Sequence, residues 1–206
     1  MSTQRTALLS AYHKDGLETF ARSLHEFGVN ILASDGTATF LRGNNIPCSL
    51  VSGLVGPPIL GHRVVTLSRE VHAGLLATDS ADDRAELARI NAPRIDLVYV
   101  DLYPLRQEIE RPGHTLQSVL DKTDIGGPVL LRSAAKGRRL ALSSSHQFKF
   151  ALRYVSGEFD DQPLLQIRLI SALACVAENV VASYCRLSAD YHQEIAGREA
   201  FETITE

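Results

Sequence analysis

The stretch Ile95-Asp96-Leu97-Val98-Tyr99-Val100, followed by Asp101-Leu102-Tyr103-Pro104, decides the fold class of this chain. Its apolar, β-branched and aromatic residues run almost without a break, which is typical of a strand covered on both faces in a parallel sheet. Pro104 closes the strand, because proline has no amide hydrogen to donate to a neighbouring strand. The stretch therefore predicts an α/β domain with helices on both sides of a sheet.

Working outward from this strand, the pattern predicts alternating strands and helices. Leu17, Phe20, Ala21 and Leu24 repeat at helical spacing, with Asp15 as the predicted cap. Further strands are predicted at residues 6–10, 29–33, 46–51 and 140–143, with a short apolar segment at 75–77. Helices are predicted at residues 16–27, 38–42, 82–90, 147–156 and 164–187. We expect an α/β domain over residues 1–147 and a helical extension packed on it over 148–206, with frayed final residues.

Composition sets the broad class. A chain of 206 residues with 45% hydrophobic and 22% charged residues suits one buried core. A net charge of −3 argues against binding to nucleic acid. Three cysteines without C-x-x-C spacing predict neither a disulfide framework nor a zinc site. We expect a cytoplasmic protein without membrane contact, because no apolar leader is seen and charges interrupt residues 164–187.

Two loops between predicted strands and helices have the composition of phosphate-binding loops. Ligands of α/β sheets sit at the carboxyl ends of strands, where helix amides favour anions. Ser10 and Lys14 flank the end of the first strand, and Ser34, Gly36 and Thr37 follow the second. Each loop alone is explained by ordinary helix capping. The recurrence after two consecutive strands favours a bound anion.

A second group of candidate residues follows later in the chain. Arg63 and Thr66 offer a cation and a hydroxyl to a phosphate, although Arg63 alone would pass for a surface residue. Asp101 and Tyr103 end the central strand. For Tyr103 the alternative is an aromatic side chain that only packs.

A glycine pair marks the start of a further predicted helix. Asp124 precedes Ile125-Gly126-Gly127, and paired glycines let the backbone approach a ligand closely. Lys136, further along the helix, is predicted to face the same cleft, so that Asp124 and Lys136 together suggest oxyanion stabilisation. The alternative for Asp124 is a helix cap.

The order of these motifs resembles the inosinate cyclohydrolase domain of the bifunctional purine biosynthesis protein, in the methylglyoxal synthase-like superfamily. The most specific motifs are Leu102-Tyr103-Pro104, Asp124-Ile125-Gly126-Gly127 and Ala134-Ala135-Lys136. The resemblance spans residues 6–147 and implies a three-layer α/β sandwich with a mainly parallel central sheet and C-terminal helices. The first two motifs disfavour methylglyoxal synthase itself.

The resemblance also implies a reaction. A formamido-imidazole-carboxamide ribotide would close its pyrimidine ring with loss of water to give inosinate, with no metal or organic cofactor. Lys136 would stabilise the oxyanion, Asp124 would orient Lys136 or handle a proton, and Tyr103 would donate or accept a proton. Substrate-binding residues would be Ser10, Lys14, Ser34, Gly36, Thr37, Arg63, Thr66, Asp101, Ile125, Gly126 and Gly127.

Several positions depart from the family pattern. Val65 and Glu70 stand in segments where the family carries lysines, and Asp35 replaces a threonine or glycine. Asp101 and Gly137 each replace an asparagine. The site is therefore more acidic than usual, which indicates a changed specificity and leaves two substrates open: the standard ribotide, or a close analogue in a specialised purine-like pathway.

Two other functions and two partners are also considered from the sequence. A non-catalytic nucleotide-binding regulatory module of the same fold is favoured by Val65, Asp35 and Glu70 but opposed by Tyr103, Asp124 and Lys136. A structural domain whose loops only cap helices explains each loop but not their joint order. We expect a homodimer, because residues 164–187 carry an apolar surface wider than one stripe. We also expect a separate formyltransferase to supply the substrate.

Overall fold

The computed structural model describes residues 4–61, 63–197, 200 and 204, and a parallel sheet forms its centre. The strands are β1 (Thr6–Ala11), β2 (Asn30–Ala33), β3 (Ser49–Leu50), β4 (Leu97–Asp101) and β5 (Leu140–Leu142). They lie in the order β3-β2-β1-β4-β5. The chain thus builds from β1 to one edge and returns to pair β4 on the other side of β1. The predicted parallel sheet is confirmed, and its strand order reverses between β1 and β4.

Helices connect the strands and cover both faces of the sheet. They are α1 (Leu17–Glu26), α2 (Asp35–Gly43), α3 (Ser52–Val55), α4 (Arg69–Leu76), α5 (Ala81–Arg89), α6 (Leu105–Glu110), α7 (Leu116–Asp121), α8 (Gly126–Lys136), α9 (Phe148–Val155) and α10 (Pro163–Ala196). A short 3-10 turn, Ser145–Gln147, precedes α9.

Alternation along the strands divides the core into two layers. Leu9 and Tyr99 belong to a cluster with α1, α2 and α9, where the Phe20 and Phe148 rings stack with centroids 3.9 Å apart. Val98 belongs to a second cluster with α4, α8 and α10 on the opposite face. Side chains of successive strand residues point to opposite faces, so each strand joins both layers.

Several predicted boundaries shift for physical reasons. Strand β3 shrinks to two residues, because Pro47 lacks an amide donor and the buried Ile46 and Val51 lie outside the strand. The cap of α1 is Gly16 with φ 69°, and no side-chain bond from Asp15 is made there. The apolar segment at 75–77 is the end of α4 and not a strand.

Helix α10 leaves much of its apolar surface exposed. It is 34 residues long and contributes few buried side chains, among them Leu173, Ala177 and Val181. Leu164 is 69% exposed. Its most apolar 18-residue window has a mean hydropathy of 1.6 and is 17% buried, so α10 is long and apolar enough to cross a membrane by length and composition alone.

Gly137, directly after α8, has a steric role that can be tested. A Cβ at Gly137 would lie 1.9 Å from the carbonyl oxygen of Leu75 at the end of α4. We expect Gly137→Ala to lower the free energy of unfolding by about 1–3 kcal/mol, because the backbone must move. Gly43→Ala, where a Cβ meets nothing within 4 Å, is the control and should stay within about 1 kcal/mol. Urea unfolding measures both, and equal midpoints would contradict the assignment.

Candidate functional site

The cleft at the reversal of strand order lies between the carboxyl ends of β1 and β4, where Ala11 pairs with Asp101. The Tyr12 amide donates to the Asp101 carbonyl at 3.2 Å, and the His13 amide donates to Asp101 Oδ2 at 2.6 Å. His13 Nδ1 lies 2.9 Å from the same oxygen. The loop after β1 is thus fastened to the end of β4, and the His13 side chain stays 51% exposed.

Two exposed tyrosines form one wall of this cleft. The rings of Tyr12 and Tyr103 meet edge to face with centroids 5.6 Å apart, and they are 40% and 45% exposed. Lys122 Nζ lies 5.3 Å from the centre of the Tyr12 ring. Aromatic faces beside a cation suit a planar, electron-rich heterocycle.

A hydroxyl network links the first two loops. Thr37, fully buried in α2, accepts from the Ala11 amide at 3.0 Å and from Ser34 Oγ at 3.1 Å. Ser34 makes no side-chain cap of α2, so the capping interpretation does not hold for it. Lys14 folds back to the carbonyls of Ala11 and Tyr12. Burial lowers the pKa of Lys14, and the nearby Asp101 partly offsets this.

The start of α8 lies beside Tyr103, whose backbone amide donates to the Asp124 carboxyl. The Gly127 amide donates to Asp124 Oδ1 at 2.9 Å. A Cβ at Gly126 would lie 2.6 Å from Thr66 Oγ1, which shows how closely the Thr66 loop packs here. Burial raises the pKa of Asp124, although hydrogen bonds from backbone amides, including that of Gly127, oppose the shift. Asp124 therefore holds its proton more tightly than an exposed carboxyl does.

Helix α10 supports the segment before α8 through Tyr184. The Tyr184 hydroxyl accepts from the Asp124 amide at 2.7 Å and donates to the Lys122 carbonyl at 3.1 Å. Burial raises the pKa of Tyr184 to about 12, so the hydroxyl stays protonated. The segment from Lys122 to Asp124 is therefore held by a residue about 60 positions later in the chain.

Lys136 does not lie with these groups. It ends α8, which begins directly after Ile125, and eleven residues at about 1.5 Å each separate the helix ends by roughly 15 Å. Strand β5 then begins opposite Leu97, so Lys136 lies at the amino edge of the sheet with an exposed side chain. The prediction that Lys136 faces the cleft of its own chain is wrong. A second copy would have to supply Lys136 for it to act here.

The remaining predicted site residues lie in different elements of the fold. Ser10 lies in β1 opposite Val100, and Gly36 lies in the first turn of α2. The Arg63 Nε donates to the Leu60 carbonyl at 2.7 Å, which ties the side chain to its own exposed turn. Ile125 precedes α8 and is 58% exposed.

Two of the positions that depart from the family pattern have identifiable contacts. Val65 packs against the second core cluster. Asp35 Oδ1 accepts from Ser52 Oγ at 3.2 Å. Within the described residues, no group of three or more His, Cys, Asp or Glu side chains could hold a metal ion.

Sequence reasoning missed four side chains of the site. Tyr12 and His13 stand inside a predicted loop, but only the pairing of β1 with β4 reveals their partners. Lys122 lies just before a predicted motif. Tyr184 had no local feature that could have identified it, because its contact joins distant parts of the chain.

Comparison with known proteins identifies the domain family of this chain and two of its relatives. Residues 16–129 match the MGS-like domain. The chain is 40% identical over 202 residues to the bifunctional purine biosynthesis protein PurH of Thermosynechococcus vestitus, covering 95% of this chain and 38% of that protein. For PurH of Anoxybacillus flavithermus the values are 34%, 98% and 40%. The chain thus spans about two fifths of the length of these relatives.

One solved structure has a similar fold along nearly the whole length of both chains. The crystal structure of ForH aligns with a TM-score of 0.77 at 29% identity, covering 91% of this chain and 98% of that chain.

The raised pKa of Asp124 leads to a prediction about stability. Asp124→Asn keeps an acceptor for the Gly127 amide and removes the charge. A carboxyl with a raised folded pKa stabilises most below its unfolded pKa, and this contribution is lost as pH rises through the folded value. We expect the stability of the asparagine variant relative to wild type to increase between about pH 4 and pH 7.

Urea unfolding across this pH range is the measurement. Asp121→Asn, at an exposed carboxyl in α7, is the matched control and should show no such trend. A constant difference between the Asp124 variant and wild type would contradict the burial of a charge at Asp124.

Proposed function

Because the chain belongs to the MGS-like domain family, we propose that it is a ring-closing enzyme of the inosinate cyclohydrolase type. Its substrate would be a formamido-imidazole-carboxamide ribotide or a close analogue. The observation that carries the proposal is the cleft at the reversal of strand order, where the Asp124 carboxyl accepts from the backbone amides of Tyr103 and Gly127 at the start of α8. Similarity to bifunctional purine biosynthesis proteins over 95% of this chain supports the same reaction class.

The chemistry of ring closure fits the groups in the cleft. A carboxamide nitrogen is a poor nucleophile, and its attack on the formyl carbon leaves negative charge on the former formyl oxygen. Asp124, whose pKa is raised by burial, would exchange a proton with that oxygen. A hydrogen-bond donor to the oxyanion would contribute roughly 3 kcal/mol to transition-state stabilisation. Fixing the two reacting groups of one substrate together lowers the remaining barrier.

The substrate would be held by the two exposed tyrosines, the start of α8 and the first two loops. The ring would rest against Tyr12 and Tyr103, with Lys122 beside it. The phosphate would lie near Ser10, Lys14 and Thr66, at the amides that begin α8.

Two observations favour an analogue over the standard ribotide. Val65 contributes to the core and offers no charge, while Asp101 adds a carboxylate to the cleft. Both points support a ring-closing step in a specialised purine-like pathway.

The second candidate function is nucleotide binding without turnover. The position of Lys136, roughly a helix length from the cleft, favours it, because one expected catalytic group is missing from the chain's own site. Inosinate binding without product formation from any formamido-carboxamide ribotide would decide for this candidate.

The central test is direct. We expect the purified chain to convert the formylated ribotide to inosinate, which is followed by the rise in ultraviolet absorbance as the purine ring closes. Tyr103→Phe should lower kcat about 100-fold, because it removes one proton-transfer group from the cleft. Tyr154→Phe, whose ring lies by Arg5 away from the cleft, removes the same hydroxyl as a control and should retain activity. An equal kcat for both variants would remove Tyr103 from the mechanism.

The partners follow from the same proposal. A cytoplasmic enzyme of this type would receive its formylated substrate from a separate formyltransferase. A second copy of the chain would cover the exposed apolar face of α10, because surfaces of this kind on soluble proteins mark interaction sites. The Arg132–Glu178 ion pair lies beside that face, and charges of this kind favour a protein partner over lipid.

The dimer is tested at Val176, which is 44% exposed on α10. We expect the wild-type chain to sediment as a dimer and Val176→Lys to sediment as a monomer, because the new charge would be buried without a partner. Gln193→Lys places the same charge near the exposed end of α10 and should leave the dimer intact. A wild-type monomer at micromolar concentration would end the proposal of a homodimer.

A further inference from the structure

We propose that His13, oriented by Asp101, is the general acid–base residue of this site. The inference rests on the ring-closing function proposed above and goes beyond the residues named for it. It starts from the position of the two side chains, since Asp101 ends β4 and His13 lies two residues after β1. Their strands pair at the reversal of strand order, where ligands of such sheets bind.

The contacts fix the imidazole in one orientation. Asp101 Oδ2 accepts the His13 amide at 2.6 Å and lies 2.9 Å from Nδ1 of the ring. An acceptor beside Nδ1 selects the tautomer with its hydrogen on Nδ1, which leaves Nε2 with a free lone pair. Because the same carboxylate oxygen faces the amide and the ring, Nε2 is directed away from Asp101. A base oriented by a carboxylate is the arrangement that recurs in proton-transfer enzymes.

The surroundings suit a group that takes up and releases protons. The ring is 51% exposed, so Nε2 can reach a bound substrate. The ring of Tyr12 packs edge to face on His13, and Tyr12 in turn contacts Tyr103. The charged and titratable groups around the pair are Asp101 and Tyr99 from β4, Tyr12, Lys14 and Asp15 from the loop after β1, Tyr103 after β4, and Lys122 over Tyr12.

Ring closure needs such a group in two steps. As the bond forms between the carboxamide nitrogen and the formyl carbon, Nε2 accepts a proton from that nitrogen and returns it to the former formyl oxygen. The resulting hydroxyl then leaves as water, taking up the proton that the formamido nitrogen loses as the C=N bond forms, again by way of Nε2. One molecule of water is released, and His13 returns to its starting state. Imidazole is suited to both directions near neutral pH.

The distance of Lys136 strengthens the assignment. Lys136 lies at the other edge of the sheet, so it cannot shuttle protons within its own chain. His13 is the imidazole that the described part of the chain places beside Tyr12 and Asp101.

The test compares His13→Gln with wild type in full-length protein. Glutamine keeps the backbone amide that binds Asp101, so the loop stays fastened. We expect kcat to fall by about 100- to 10,000-fold, while the dissociation constant for inosinate, measured by calorimetry, changes less than about threefold. The wild-type kcat should depend on pH, and one limb of that pH profile should disappear in His13→Gln.

Two further variants separate catalysis from structure. Asp101→Asn keeps an oxygen acceptor but removes the charge, so we expect kcat to fall by up to about 10,000-fold, as when the carboxylate that orients a catalytic imidazole is replaced by its amide. His25→Gln, at an exposed histidine ending α1, should match wild type.

The outcomes are distinguishable. If wild type turns over and His13→Gln keeps both its kcat and its pH limb, the assignment of His13 is overturned and the ring-closing function stands. If His13→Gln loses inosinate binding and activity together, its role is structural and the assignment is also overturned. If wild type binds inosinate but forms no product, the proposed function and the assignment are both overturned.

Discussion

The parallel ladder between β1 and β4 sets Ala11 beside Asp101 and brings together two segments that are ninety residues apart in the sequence. The contacts of Tyr12 and His13 with Tyr103 and Asp101 depend on that ladder. The loop after β1 carries His13 and Lys14, and the loop after β4 carries Tyr103. Loss of pairing at the last rung would separate the imidazole from its carboxylate and the two tyrosines from each other. The adjacent pairing of β1 with β2 brings the second loop to the same edge, where Thr37 bonds to Ala11.

The cleft lacks one positive charge of the family pattern. Val65 stands where that pattern has a lysine and packs into the core, and Lys136 lies at the remote end of α8. Lys14, which the pattern includes, and Lys122 place positive charge beside Tyr12 and His13. Asp101 adds negative charge beside them, which favours a ligand with hydrogen-bond donors near this side of its ring.

The sequence predicted the fold well, because strand and helix patterns reflect burial over short distances. The central strand and α1 were placed to within a few residues. The prediction for Lys136 is wrong because residues close in sequence need not be close in space. Asp124 and Lys136 lie at opposite ends of α8, and the rise of the helix separates them. Tyr12 and His13 were seen only as loop residues, since their meaning depends on a partner from another strand. No local sequence pattern indicates the role of Tyr184, because its partner Asp124 is 60 positions away in the chain.

The sequence predicts a boundary between the α/β domain and the helical extension after residue 147, but a residue of the extension contributes to the site of the α/β domain. The hydroxyl of Tyr184 in α10 accepts the amide hydrogen of Asp124, while burial raises the pKa of the carboxyl of that residue. A chain without α10 would leave the amide of Asp124 without this acceptor, and an unpaired backbone donor just before α8 would destabilise the segment that carries the carboxyl.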